Sequence, residues 1–317
     1  MEMPFLSKRY FLLALDPVHI GTGGYRLGRV DNTIIREPGT NLPKIPGTSL
    51  SGALRSFMAM REQDANKCLQ CAGQGQILGE YGGGADQAHC GKRDCPVCMG
   101  FGFSRSRNSF QGLIQLSDAQ LLLFPVYSCS GPVWITSPGA LMAAGVPEVA
   151  LAEDNEIMAV NNVKLSMGDK LNLGWLLLRV SEKKFVLPEK LITGIPEYIS
   201  NNTVLVSDYL FSRIINDNLE VRTSVSIDPD TGAARDKSLF TYEAIPRTAI
   251  LQFEVTINEP GLFRVPPDRQ PPSFSKKQLS QKFYDAAEYM QWLGIGGMNT
   301  RGMGRLRVIH PSCGGGE

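Results

Sequence analysis

Five of the seven cysteines in this 317-residue chain fall between positions 68 and 98, as Cys68-x2-Cys71 and then His89-Cys90-x4-Cys95-Pro-Val-Cys98. In a reducing compartment such a cluster is not a disulfide framework, and short Cys-x2-Cys hooks are the geometry by which tetrahedral zinc is held. Zinc takes four ligands, and six side chains offer themselves. Cys95 and Cys98 come first, Cys68 and Cys71 next, and Cys90 or His89 can replace one of the latter pair. A catalytic zinc keeps one position open beside a carboxylate base, for which Asp86 and Asp94 are at hand. The segment around the hooks is poor in large apolar residues, so a single structural zinc that holds it together is the expected role.

Glycine and arginine supply a second chemistry. His19-Ile-Gly21-Thr-Gly23-Gly24 near the start and Gly294-Ile-Gly296-Gly297-Met-Asn299-Thr-Arg301-Gly-Met-Gly-Arg305 near the end are too rich in glycine to stabilise a helix or strand. Such segments reach positive φ and bring bare N–H groups close to a phosphate, with Arg301, Arg305 and Arg307 as the charges. A further anion site is expected where Pro46-Gly47 leads into a helix capped by Thr48 or Ser49, because the helix dipole, two hydroxyls and Lys44 converge there.

Asp31 stands in a polar loop just after the first glycine cluster, between Val30 and Asn32. A carboxylate there can hold a hydrated divalent ion, orient a hydroxyl nucleophile or act as a base. No companion carboxylate is evident. The adjacent Arg36 and Glu37 either form an ion pair that orders the loop or leave Arg36 to contact a ligand. His19 offers the metal-independent alternative of general acid–base catalysis, although a histidine at the end of an apolar strand more often serves packing. No Ser-His-Asp or Walker-type pattern is present.

These residues must be positioned by an ordinary globular fold, since 43% of the residues are hydrophobic and 20% charged. Thirty-two basic residues against 31 acidic ones leave a net charge of +1, so any nucleic-acid site has to be a local patch. No run of apolar residues is long enough to span a membrane, and a cytoplasmic protein is expected. Tyr10–Leu15 reads as a buried strand, and Leu50, Ala53, Leu54, Phe57 and Met58 place a helix from about Thr48 to Glu62. Residues 64–111 read as a cysteine-rich insertion and Leu113–Val126 as a return to strand. The region 217–246, turning at Asp228-Pro-Asp-Thr-Gly232, is a hairpin arm. Ile250–Ile257 alternates as a strand, a helix follows the Pro-rich 265–272 linker, Arg305–Ile309 is a last strand, and 311–317 is expected to be a disordered tail. Helices set against antiparallel strands make an α+β fold.

The strings at 19–23, Val30-Asp31, Arg36-Glu37, Leu42-Pro-x-Ile-Pro-Gly-Thr-Ser-Leu-x-Gly-Ala-Leu-Arg55 and Gly296-Gly-Met-Asn-Thr-Arg-Gly-Met-Gly-Arg305 are similar to the RAMP (repeat-associated mysterious protein) superfamily of CRISPR proteins. Within it, Ser117-Asp-Ala-Gln-Leu-Leu-Leu-Phe-Pro-Val126 and Trp134-Ile-Thr-Ser-Pro-Gly-Ala-Leu141 resemble the repeated backbone subunit of the type III-B (Cmr) effector complex. The resemblance implies one RAMP domain over 1–317, with a ferredoxin-like, RNA-recognition-motif-like core, a zinc-binding insertion and a protruding hairpin thumb that enters the guide–target duplex. It implies an endoribonuclease that binds CRISPR RNA and cuts complementary target RNA at regular intervals, with Asp31 catalytic and a divalent cation such as Mg or Mn. Its partners would be copies of itself in a helical filament and other type III effector subunits.

RNA contacts are then expected from His19, Gly21, Gly23 and Arg36, and from Lys44, Thr48, Ser49 and Arg55 around the helix start. Arg222, Arg235 and Lys237 would serve on the hairpin, where Ile227, Leu239 or Phe240 would wedge between bases. Gly296, Gly297, Asn299, Arg301 and Arg305 complete the set. The alternatives are a structural CRISPR-RNA-binding subunit without catalysis and a guide-processing ribonuclease that uses His19.

Overall fold

The computed structural model describes residues 3–23, 30–62, 69–73, 89–105, 108–147, 149, 156–160, 163–165, 168–235 and 238–309. Cys68, Asp86, Lys237 and the 311–317 tail lie outside them. Two compact units emerge, each assembled from three stretches of chain: Met1–Arg9, Pro46–Asp118 and Phe253–Trp292 in one, Tyr10–Ile45, Ala119–Gln252 and Leu293–Glu317 in the other. No linker marks their borders because the stretches alternate along the sequence.

The second of these units is built on a mixed sheet. Phe11–Ala14 pairs antiparallel with Leu306–Ile309, and Ile250–Gln252 pairs antiparallel with Gln120–Leu123. The strand Ala119–Val126 then pairs with Val133–Thr136, its six buried residues explaining why it reads as an apolar run rather than an alternation. Val133–Thr136 runs parallel to Thr203–Leu205, and Glu156–Ala159 runs parallel to Leu176–Val180. These parallel pairs depart from the purely antiparallel expectation. The chain between Thr136 and Thr203 carries the crossover, helices included, that a parallel pairing needs. Asp208–Asp217 is the longest helix of the described residues in this unit. Ser207 caps it by accepting the Leu210 N–H, and Phe211, Ile214 and Ile215 are buried; such a cap stabilises by about 1 kcal/mol.

The hairpin pairs Glu220–Ser224 with Phe240–Ala244, Arg222 lying opposite Tyr242. At the far end Asp228 Oδ1 accepts the N–H groups of Asp230 and Thr231, and Gly232 takes a φ of +67°. That is the Asx-type turn chemistry the sequence signals.

In the first unit the helix Gly47–Arg61 buries Leu50, Leu54, Phe57 and Met58 on one stripe. It packs against Lys276–Ala287, which buries Leu279, Phe283, Ala286 and Ala287 and opens with a reciprocal Ser275–Gln278 capping box. Each large side chain so buried contributes roughly 1.5–3 kcal/mol. Lys282–Glu62 at 2.7 Å ties the two helices at the rim. Neither Thr48 nor Ser49 caps the first helix. The residue before it is Pro46, without a side-chain cap bond, and the Gly47 N–H donates to Asp118 Oδ1 at 2.8 Å. A Cβ at Gly47 would lie 3.0 Å from the Leu116 carbonyl oxygen, which is why glycine stands there.

Candidate functional site

Asp31 is exposed next to the buried Val30, and its loop lies along the return strand of the hairpin. Asn32 N–H donates to Thr241 O and Glu243 N–H to Asn32 O, both at 3.0 Å, which makes a parallel bridge between Asn32 and Tyr242. Asp31 Oδ2 accepts the Thr241 amide at 2.8 Å and the Thr241 hydroxyl at 2.9 Å, while its own N–H donates to that hydroxyl oxygen at 3.1 Å. The Thr241 amide, and after it the hydroxyl, hold the carboxyl below its ordinary value of 3.8. Oδ1 has no partner among the described residues. The result is an anchored carboxylate that is ionised at neutral pH and presents one open oxygen.

Below it, Glu243 Oε2 accepts Arg36 Nη2 at 2.8 Å and the Ile34 N–H at 3.3 Å. Arg36 also donates to Asn216 Oδ1 at 2.9 Å and Ile34 O at 3.0 Å, so its guanidinium is occupied on every side. The pairing of Arg36 with Glu37 that adjacency suggests does not form. Neighbouring residues of an extended segment point to opposite faces, and Glu37 is bonded instead to Thr40 and Gln120.

The two glycine-rich segments meet at His19. This residue is buried, and its Nδ1–H donates to Glu243 O at 2.6 Å while its ring edge meets Tyr242. Its carbonyl accepts the Gly297 N–H at 3.0 Å, and Pro17 O accepts the Gly304 N–H at 2.8 Å. A Cβ on Gly296, at φ +82°, would come within 2.5 Å of His19 O, and one on Gly304, at φ +92°, within 2.4 Å of Ile295 O. Glycine is needed here for backbone-to-backbone contact. Asn299 Nδ2 donates to Leu293 O at 3.1 Å and closes the loop. Gly21 has only the His19 ring within reach of a Cβ, and Gly23 has open space at φ +79°.

Among the cations, Arg301 is exposed over the Phe240 ring at 5.9 Å and forms no ion pair among the described residues. Phe240 rests with Met298 on the small core of Tyr242, Ala244 and Met303, whereas Ile227 and Leu239 on the hairpin are exposed. Arg305 grips Asp16 with Nε and Nη2, and that bond, followed by the charges of Arg305, Arg247 and Arg222, lowers the Asp16 pKa. Arg222 also bonds Glu220 at 2.6 Å, and Arg235 sits 3.5 Å from Asp228. Lys44 belongs to the short strand paired with Gln120, while Thr48 and Ser49 open the helix whose first amide is taken by Asp118. The anion at that helix start is the protein's own carboxylate.

Arg55 is found at the cysteine cluster. Cys71, Cys90, Cys95 and Cys98 bring four sulfurs within 4.8 Å of one another. The Cys90 and Cys98 sulfurs are 3.7 Å apart, close to the ~3.8 Å between two sulfurs that each sit about 2.3 Å from a tetrahedral zinc. The donor set therefore fits such an ion. Cys71 Sγ accepts the Cys90 N–H at 3.3 Å, and Cys95 Sγ caps the helix Pro96–Phe101 by accepting the Cys98 N–H at 3.5 Å. Hydrogen bonding among the sulfurs, with Cys71 the foremost neighbour in each case, pulls the Cys90 thiol down and pushes the Cys95 and Cys98 thiols up. His89 is not one of the four: it is buried, and its Nδ1 accepts Arg55 Nη2 at 3.0 Å.

Sequence reasoning passed over Thr241, Glu243 and Arg247. A signal for the first two existed, since Thr241 and Glu243 alternate with the apolar Phe240, Tyr242 and Ala244 and so share one face of the strand. For Arg247, an exposed residue after Pro246 in a turn where Thr248 has φ +68°, the local pattern carries none.

The family model of the RAMP superfamily matches residues 11–307. The CRISPR system Cmr endoribonuclease Cmr4 of Pyrococcus furiosus is 25% identical over 253 residues, covering 74% of this chain and 76% of that protein. Among solved structures, oligomeric Cmr4 from Pyrococcus furiosus superposes with a TM-score of 0.61 at 21% identity over 97% of this chain and 98% of that one. A chain of the type III-B Cmr-beta complex bound to cognate target RNA gives 0.59 at 15% identity, over 96% of each.

Proposed function

The chain belongs to the RAMP superfamily, and from that premise we propose that it is the repeated backbone subunit of a type III CRISPR effector, which binds CRISPR RNA and cleaves complementary target RNA at regular intervals. The observation that carries this reading is Asp31, ionised, exposed and clamped to the base of the hairpin by Thr241. An anchored carboxylate with one open oxygen orients the 2′-hydroxyl next to the scissile phosphate and draws on its proton as that oxygen attacks phosphorus to form a 2′,3′-cyclic phosphate, while the P–O5′ bond breaks and the leaving 5′-oxygen takes a proton from water. A divalent cation such as magnesium or manganese, when bound beside Asp31, would neutralise charge building on the phosphate. His19 serves this site as a brace, since its ring is buried and bonded to Glu243 O. That burial weighs against a guide-processing role for it.

The guide backbone is gripped without reading sequence, as base pairing supplies the specificity in RNA-guided effectors. Arg301, Arg305 and Arg222 are assigned to its phosphates, and Arg247 joins them because it faces the same Asp16. The hairpin acts as the thumb, its exposed Ile227 and Leu239 entering the duplex. Cys71, Cys90, Cys95 and Cys98 hold one structural zinc. Copies of the chain stack head to tail along the guide with other type III subunits, a reading supported by the oligomeric state named for the Pyrococcus furiosus relative.

The test is to purify the protein with its bound small RNA and add complementary RNA. Cleavage at a constant spacing with magnesium or manganese, abolished by chelator, is expected. Absence of cleavage, or cuts at irregular positions, would contradict the reading.

A further inference from the structure

We infer that Arg55 is a positioning residue of the cysteine centre, joining its three pieces and balancing their charge, and that it is not an RNA contact. The inference rests on the zinc reading above. The four sulfurs come from three segments: the turn Leu69–Cys71, the residues leading to Cys90, and the helix Pro96–Phe101 with its cap Cys95. One guanidinium, projecting from the long helix, reaches all three. Arg55 Nε donates to Cys71 O at 2.7 Å, and Nη2 donates to Gly102 O at 2.9 Å, the residue that closes the Cys98 helix. Nη2 also lies 3.0 Å from His89 Nδ1, next to Cys90 in the chain. A planar fork with fixed donors can make these three bonds together; a lysine ammonium on the same stem cannot.

Charge points the same way. A half-buried guanidinium without a counter-ion is costly, and no carboxylate among the described residues pairs with Arg55. The nearby negative groups are the sulfurs of Cys98, Cys71 and Cys95. Four thiolates around Zn2+ carry a net charge of about −2, and Arg55, whose charge interacts with the Cys98, Cys71 and Cys95 sulfurs, is a cation placed to balance it. Nε, Nη1 and Nη2 of Arg55 all have protein partners, Nη1 lying 3.5 Å from Phe101 O, whereas the exposed Arg305 bonds Asp16 through Nε and Nη2 only. His89 thereby has a role too: it is an acceptor that turns the fork toward the sulfurs, outside the ligand set.

The test uses the full chain with zinc as the probe. Zinc affinity is measured by competition with a chromogenic chelator for the native protein, Arg55→Gln and Arg55→Lys, and CRISPR-RNA affinity is measured in parallel. Arg55→Gln should weaken zinc binding by about 10–100-fold, the usual effect of losing an outer partner. Arg55→Lys, which keeps the charge but loses the fork, should fall between it and the native chain, and RNA affinity should stay within about twofold for both. Zinc retention equal to native in Arg55→Gln, or a tenfold loss of RNA affinity with zinc binding unchanged, overturns the inference. The lysine variant carries the measurement if the glutamine variant does not fold. Native protein with less than about half an equivalent of zinc sinks the zinc reading itself, an outcome visible before any variant is made.

Discussion

One neighbour fixes Asp31 in place and holds its carboxyl below the ordinary aspartate value. Thr241 offers its amide and hydroxyl to the same carboxylate oxygen, so the folded pKa lies below 3.8. A carboxylate with a lowered pKa is charged above that value and loses its function only as pH falls through it. Cleavage that depends on Asp31 should therefore have no limb from this residue between pH 5 and 8, and any fall in that window belongs to another group. Thr241→Val keeps the amide bond but removes the hydroxyl, so the acid limb should move up toward the ordinary value and the rate at neutral pH should drop by about three- to thirtyfold through lost orientation. Thr241→Ser should restore both, and a pH–rate profile of the three proteins checks it. Unchanged rate and limb in Thr241→Val would mean that the clamp does not orient Asp31.

At the scale of elements, the closing glycine loop is ordered by its contact with the segment around His19. Gly296 at φ +82° has His19 O at 2.5 Å from a built Cβ, whereas Gly302 at φ +77° has open space. Gly302→Ala should cost about 1 kcal/mol for its backbone strain, and Gly296→Ala more, about 2–4 kcal/mol, because the clash adds to it. Thermal unfolding of the two variants measures the difference, and equal shifts would contradict the close approach. Both glycine clusters and the Cys95-x2-Cys98 hook were legible in the sequence because residue type and spacing are local. So was the helix with Leu50, Leu54, Phe57 and Met58 on one stripe, to within a residue at each end. The partners were not legible. Asp31 meets Thr241 across 210 positions, Arg36 meets Glu243 across 207, and Arg55 turns to the cysteines. No periodicity encodes which strand a loop lies against. The parallel strand pairs escaped for the same reason, since a buried apolar run looks alike in either direction.

At the scale of the whole molecule, a net charge of +1 suits the proposed subunit, which would need one charged groove and many contacts with its own kind. Ile227 and Leu239, 54% and 68% exposed on the hairpin, have no core to serve. Replacing both with serine should cut target cleavage by about tenfold or more while leaving guide binding within about twofold, as expected of a wedge that acts on the duplex and not on the guide alone. A comparable loss of guide binding, in a filter or fluorescence assay, would assign Ile227 and Leu239 to the guide instead of the duplex. Because each copy in an assembly would carry its own Asp31, the most direct measurement is the cleavage ladder of complementary RNA in assemblies reconstituted from native chain, Asp31→Ala chain, and known mixtures of the two. All bands should vanish with pure Asp31→Ala while target RNA stays bound, and in mixtures every band should fade with the variant fraction without moving. A full-rate ladder from pure Asp31→Ala protein would contradict the account at its centre.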